Sequence, residues 1–183
     1  MATIDPKPYK TKNNKEIIIR AAIKEDAGST ISIKKSSIDE VINELLCPEE
    51  FTRTVVDEEK WIDSHLDNPN HIAIVAVFEN QIIGLIDFSN GPRKRIAHTG
   101  QFGMSVSKNF RGQGIGTLLL QALIEWATAH DQIEKINLSV HATNLAAQGL
   151  YKKLGFVIEG IMKNDLKYGA DDYVDTLVMG KIL

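Results

Sequence analysis

The stretch Val106-Ser-Lys-Asn-Phe-Arg111-Gly112-Gln113-Gly114-Ile115-Gly116-Thr117, continued by Leu118-Leu-Leu-Gln-Ala-Leu-Ile-Glu-Trp126, decides how the rest of the chain is read. It runs from the end of a strand through a short basic loop and three alternating glycines into a long amphipathic helix. After Ile115, apolar side chains recur at Leu118, Leu119, Ala122, Leu123, Trp126 and Ala127, the spacing of one helix face. The glycines therefore fall where the loop becomes the first helical turn. Backbone N–H groups in that turn have no partner within the helix, and the helix dipole adds partial positive charge. Alternating glycines keep side chains away from that backbone. The combination is an anion site suited to a phosphate-bearing ligand.

Two familiar phosphate loops do not match. A Walker A loop needs Gly-Lys-Ser/Thr after four intervening residues from its first glycine. The dinucleotide fingerprint needs Gly-x-Gly-x-x-Gly, whereas this loop reads Gly112-x-Gly114-x-Gly116. Taken on the residues alone, a glycine-rich loop with no ligand remains the alternative.

With 183 residues the chain has room for one domain with a full core and too little for two. At 43% hydrophobic and 25% charged it has the composition of a soluble globular protein. A net charge of −3 offers no positive excess for neutralising nucleic-acid phosphates, and the one dense basic run, Arg93-Lys94-Arg95, reads as a solvated loop. The single cysteine, Cys47, excludes an intrachain disulfide and fits a reducing compartment. Next to Pro48 it reads as a half-buried thiol rather than a nucleophile. Residues 1–15 are polar and lysine-bearing, so they read as a flexible arm and not as a signal peptide. No apolar run is long enough to cross a bilayer, and the expected location is the cytoplasm.

Residues 16–183 are expected to form the single domain. Glu16–Ala22 reads as a first strand, and Lys24–Ala27 starts a helix or helical turn. Residues 36–66 read as mostly helical. Ser37-Ile-Asp-Glu40 is spaced as a capping box, Ile38, Val41, Ile42, Leu45 and Leu46 share a face, and Asp57 is placed to cap a second helix. A hairpin follows, with strands at 71–78 and 82–88 around Glu79-Asn80-Gln81, then a polar loop at 89–97. A strand over 98–106 leads into the glycine loop. Next come a strand at 135–140, a helix over 144–154 closed by Gly155, and strands near 156–166 and 173–182. This order predicts an α/β fold with a mixed, mostly antiparallel central sheet of about seven strands flanked by helices.

A second motif adds specificity: Val140-His-Ala-Thr-Asn144-Leu-Ala-Ala147-Gln-Gly-Leu150-Tyr151-Lys-Lys-Leu154-Gly155-Phe156-Val-Ile-Glu159-Gly160. Arg111 to Gly116 resembles the Arg/Gln-x-x-Gly-x-Gly/Ala loop of the GNAT superfamily of acyl-CoA-dependent N-acetyltransferases. The second motif resembles that superfamily's strand, Asn, small residues and Leu-Tyr-x-x-Leu-Gly-Phe. Two motifs in the right order, with a helix and a strand between them, are stronger than either alone. The resemblance spans residues 16–182 and is close to the branch of ribosomal-protein-alanine and small-amine acetyltransferases, which the ending Tyr173-Val-Asp175-Thr-Leu-Val-Met179 also resembles.

The resemblance implies acetyl-CoA as co-substrate, a primary amine as acceptor (a peptide N-terminus, a polyamine, or a small amine or amino acid) and no metal. Met104, Ser105 and Val106 would offer backbone groups to pantetheine, one amide holding the thioester oxygen. Arg111, Gly112, Gln113, Gly114, Ile115, Gly116 and Thr117 would bind the pyrophosphate. Asn144 and Ala147 would meet the pantetheine or phosphate portion, and Tyr151 would protonate the departing thiolate. An acceptor ammonium must lose a proton before it attacks; Asp87, His98, Glu159 or a water chain ending at one of them are the candidate bases. The acceptor is expected against residues 36–66 and the loop 89–97. A direct ternary-complex transfer is expected, since no residue is placed as an acyl-carrying nucleophile. The rival readings are a non-catalytic acyl-CoA-binding module and a transferase for a longer acyl chain. The terminal strands could pair across a homodimer.

Overall fold

In the computed structural model, which describes residues 3–41 and 43–183, the sheet grows outward from a hairpin. Strands β3 (His71–Phe78) and β4 (Gln81–Asn90) are joined by a two-residue turn, with φ of 48° at Glu79 and 63° at Asn80. Two positive φ values give the turn the twist of its flanking strands. β3 is apolar at nearly every position because both of its faces are covered. Ile72, Ile74 and Ala76 enter the core on one side of the sheet, and Ala73, Val75 and Val77 enter it on the other.

The remaining strands are β1 (Lys7–Lys10), β2 (Glu16–Ala21), β5 (Thr99–Val106), β6 (Lys135–His141), β7 (Val157–Lys167) and β8 (Tyr173–Ile182). They form one eight-stranded sheet in the order β1-β2-β3-β4-β5-β6-β8-β7. The strand beyond the expected seven is β1. Residues 7–10 fall in the stretch read as an arm, yet they pair with β2 from Lys7 opposite Ile19 to Lys10 opposite Glu16. Lysines and a proline are what an edge strand carries to discourage further pairing, so β1's composition hides its structure.

Every neighbouring pair is antiparallel except β5 and β6. These two run parallel and pair over only three positions, Thr99 to Gln101 against Lys135 to Asn137. From Phe102 to Val106, β5 keeps β4 on one side and has no strand on the other.

Helix α3 (Ile115–Thr128) covers one face of the sheet, burying Leu119, Leu120 and Leu123 against Ile17, Ile74 and Phe88. Gly84 lets it lie close to β4, because a Cβ there would come within 2.9 Å of Leu119 Cδ1. The opposite face is covered by α1 (Ala27–Ile38) and α2 (Val55–Asp67), around Ala27, Ile62 and Leu85. Helix α4 (Leu145–Lys153) follows β6 and adds Tyr151 to the core that α3 shares. Among the described residues no helix is long and apolar enough to cross a membrane.

The expected helix over 36–66 is corrected on two counts. Ser37 does not open a helix; it lies buried in the last turn of α1, which ends at Ile38. The helix is hard to read because it is rich in hydroxyl residues. Thr30 and Ser32 turn their hydroxyls back onto the Ala27 and Gly28 carbonyls, at 3.0 and 2.8 Å, so they fit within it. Beyond it, the described residues of 39–54 are irregular apart from one 3₁₀ turn at Pro48–Glu50, so the expected face of Ile38, Val41, Leu45 and Leu46 is not formed. Ile42 of that face lies outside the described residues. Val41 sits at φ 55°, a costly conformation for a β-branched residue. The cap of α2 is Thr54, with Asp57 as the reciprocal partner three residues on: Asp57 N–H donates to Thr54 Oγ1 at 3.2 Å, and Asp57 accepts from Thr54 N–H at 3.0 Å.

Candidate active site

Where β5 and β6 part, a cleft of about 610 Å³ opens. Met104, Ser105 and Val106 line it from β5. Arg111, Gly112, Gly114, Ile115, Gly116 and Thr117 line it from the loop and the first turn of α3, and Asn144, Ala147 and Tyr151 from α4 and its cap. Of the expected donor-site residues only Gln113 is absent from the wall. Its side-chain Nε2 donates to the Asn109 carbonyl at 3.1 Å, and its backbone carbonyl accepts from Lys12 N–H at 3.0 Å.

The local geometry follows from the glycines. Gly114 is the N-cap of α3 at φ 90°, and no side chain caps the helix, so its first N–H groups are left to the cleft. Gly112 is also left-handed, at φ 74°. Lys12 lines the cleft beside Gly114, which places a cation there from the stretch read as an arm. The Arg111 guanidinium folds back, donating to the Val106 carbonyl at 2.9 Å and to Glu40 at 2.7 Å. That pairing holds the Glu40 carboxyl below its usual range. An uncapped helix end, a left-handed glycine loop and two nearby cations fit a diphosphate.

Asn144 Oδ1 accepts from Ala147 N–H at 3.1 Å, so the residue caps α4 while it lines the cleft. Tyr151 is 8% exposed and meets Phe102 edge-on, with ring centroids 5.6 Å apart. Burial pushes its hydroxyl up to about 12.

A second cavity, of about 580 Å³, adjoins the first and shares Ser105 and Glu44 with it. Its walls come from α1, the irregular stretch after it, α2 and β4, including Lys34, Phe51, Arg53, Trp61 and Asp87. Asp87 is the one candidate base that reaches this region. Removal from water pushes its carboxyl up to about 6, against the opposing pull of nearby Lys34 and Arg53 and with a contribution from Glu58. Glu58 itself is fully buried and bound at both oxygens, by Lys34 at 2.6 Å and Arg53 at 2.9 Å. The Lys34 ammonium also sits 3.6 Å from the centre of the Trp61 ring.

The other two candidates are misplaced for base work. His98 is exposed just before β5, whereas the cleft opens at the far end of that strand, roughly 20 Å away at the rise of an extended chain. Glu159 lies on β7, where it pairs with Lys135 at 2.7 Å. Residues 89–97 line neighbouring depressions rather than the second cavity, and Arg93, Lys94 and Arg95 are exposed. Cys47, expected to be half-buried, is exposed and lines neither cavity.

Lys12, Lys34, Arg53 and Glu58 carry no motif, and sequence reasoning passed over them. Glu58 had a faint signal, since it lies one turn before Ile62 on the inward face of α2. Asp87 had a clearer one: it is the only charge in Ile82-Ile-Gly-Leu-Ile-Asp-Phe88.

The comparisons agree with this geometry. The sequence profile of the acetyltransferase (GNAT) family matches residues 38–156. The chain is 30% identical over 173 residues to an N-alpha-acetyltransferase of Sulfurisphaera tokodaii, covering 89% of this chain and 93% of the relative. It is 29% identical over 124 residues to the L-amino acid N-acetyltransferase AaaT of Escherichia coli, covering 67% and 75%. Its fold superposes with a TM-score of 0.86 on a GNAT-family acetyltransferase from Streptococcus pneumoniae, at 29% identity and covering 91% and 99% of the two chains. A ribosomal-protein-alanine N-acetyltransferase from Brucella melitensis gives 0.80 at 26% identity, covering 90% and 99%. The chain therefore belongs to the acetyltransferase (GNAT) family, and is an N-acetyltransferase that acetylates an amine at the expense of acetyl-CoA.

Proposed function

We propose that the chain moves the acetyl group in one step, from acetyl-CoA in the first cleft to a primary amine in the second cavity. The observation that carries this reading is that the two cavities meet at Ser105, with Asp87 lining one and Tyr151 the other.

Asp87 takes one proton from the incoming ammonium and leaves a lone pair on nitrogen. With a value near 6 it is ionised at neutral pH and can accept that proton. Backbone groups of Met104 to Val106, which face no neighbouring strand on the cleft side, receive the thioester oxygen as charge develops on it. The carbon–nitrogen bond forms, and the carbon–sulfur bond breaks with its electron pair going to sulfur. The second amine proton leaves nitrogen as sulfur is protonated. Asp87 then releases its proton to solvent, so ammonium and thioester become amide, free thiol and one proton. Tyr151 holds its own proton tightly, and so acts by donating a hydrogen bond to the leaving sulfur more than by full transfer. Arg111, Gly112 and Gly114 to Thr117, with Lys12, bind the diphosphate, and Asn144 and Ala147 flank the pantetheine.

The test is to incubate enzyme with stoichiometric acetyl-CoA and no amine, then weigh the intact protein. An unchanged mass, followed by thiol release once an amine is added, is expected. A protein heavier by one acetyl group, and able to pass it on, would overturn the one-step route.

A further inference from the structure

The second cavity contains two cations that binding an amine alone does not explain. Glu58 is fully buried, and a carboxylate so removed from water needs a cation. It has two, Lys34 and Arg53, so these three side chains sum to one positive charge, and the Asp87 carboxylate lies in the field of both cations. Both cations line the cavity, whereas Glu58 does not. Lys34 has three N–H donors and Arg53 five, and each gives one hydrogen bond to Glu58.

The other carboxylates of this cavity are engaged or stand apart. Glu50 accepts from Cys47 N–H at 2.8 Å, and Asp57 accepts from the Thr54 N–H and hydroxyl at 3.0 and 2.6 Å. Glu44 stands at the junction with the first cleft. Asp87 is the group proposed above to take the ammonium proton. The cavity thus offers a carboxylate to an amine and, beside Trp61, two cations with donors to spare for an anion. A polyamine brings no anion to those donors, and a peptide N-terminus has no acid group beside its amine.

We infer that the acceptor is a free α-amino acid, its carboxylate received by Arg53 and Lys34 and its amine presented to Asp87. This inference rests on the reading of Asp87 as the base. Arg53 is the main specificity residue, since a guanidinium can bind a carboxylate with two parallel N–H donors. Phe51 and Trp61 supply an apolar wall for the amino acid's side chain.

The test compares free L-amino acids with their own α-amides, alongside spermidine and a peptide beginning with alanine, by thiol release from acetyl-CoA. The wild type is expected to prefer acid over amide by about 30-fold or more in kcat/KM, since an unmet charged partner is what rejects the amide. Arg53→Gln should bring that ratio below about three, and Arg53→Lys should restore part of it. The ratio is the readout because general damage to the fold lowers both rates together. Equal use of acid and amide, a preference for spermidine or peptide, no turnover of any acceptor, or an unchanged ratio in Arg53→Gln would each overturn the inference. The base reading is judged separately: an acid limb near pH 6 that vanishes in Asp87→Asn upholds it even where spermidine is the better acceptor, and its absence removes it.

Discussion

The two cavities are built on different principles. The first is assembled largely from backbone: an uncapped helix end, left-handed glycines and a strand with one side unpaired. The second is assembled from side chains on α1, the irregular stretch after it, α2 and β4, and its two cations are held by a carboxylate buried behind the wall. Backbone recognition demands glycine at fixed spacing and so leaves a signature. Side-chain recognition can recruit Lys34, Arg53 and Asp87 from anywhere the fold brings them together, and leaves none. On the function proposed above, the donor, shared across a family, takes the part that a short motif can encode, and the acceptor the part free to vary.

Substitutions can separate the two halves. The largest effect is expected for Asp87→Asn, which should lower kcat/KM by about 10²–10³-fold at neutral pH with little change in acetyl-CoA affinity. The wild-type profile should rise through about pH 6 as Asp87 loses its proton, and that limb should be missing in the variant. The same change should stabilise the fold. Asp87 titrates at about 6 in the folded state, above its ordinary 3.8, so the folded state holds the proton more tightly. The ionised carboxylate therefore costs stability above pH 6, and the cost fades as pH falls toward 4. Urea unfolding at pH 7 should show Asp87→Asn more stable by on the order of 1–3 kcal/mol, with little difference at pH 4.

Tyr151→Phe should lower kcat by about 10–100-fold and leave the KM for acetyl-CoA within about twofold. Stopped assays across pH should show no alkaline limb from this residue below pH 11, because its proton is held to about 12. A loss carried entirely by acetyl-CoA KM would instead make Tyr151 a wall of the cleft.

Gly114→Ala should act on the first cavity alone. Left-handed backbone costs a non-glycine residue about 1 kcal/mol or more, so a comparable loss of stability is expected. Calorimetric titration should show acetyl-CoA bound about tenfold more weakly, while the acid-to-amide preference of the second cavity holds. The smallest effect is expected for Glu40→Gln. This partly exposed pair with Arg111 is worth at most about 1 kcal/mol to stability. Releasing Arg111 should tighten acetyl-CoA by about two- to threefold; weaker binding would show that Glu40 holds Arg111 in place for the diphosphate.

The same contrast explains how much could be read in advance. The β3–β4 hairpin, the strand–loop–helix of β5 and α3, and the β6–α4–β7–β8 ending are local, periodic and punctuated by glycine or asparagine, and they stand close to where their residues place them. The start of α1 is legible at Lys24–Ala27 but its run to Ile38 is not, because its serine and threonine bond back to their own helix, and β1 is hidden because an edge strand looks like a polar tail. The glycine loop, Asn144 and Tyr151 were legible as one cleft. The proposal of Asp87 over His98 and Glu159 was not, because it depends on which end of β5 the cleft occupies and on the burial that α1 and α2 impose. The Lys34–Glu58–Arg53 cluster joins positions 24 and 5 residues apart, a relation no periodicity announces.

The three-position pairing of β5 and β6 has one more consequence. Beyond Gln101 the sheet has an edge in its interior, and the alternate amides of β5 that point there rely on solvent in the absence of a ligand. Such amides should exchange their hydrogens readily in the free enzyme and slow down when acetyl-CoA occupies the cleft. Since that ligand binds the folded chain and not the unfolded one, saturating it a hundredfold over its dissociation constant adds about 2.7 kcal/mol to the folding free energy. The acyl donor would then set how long the enzyme survives as well as how fast it works.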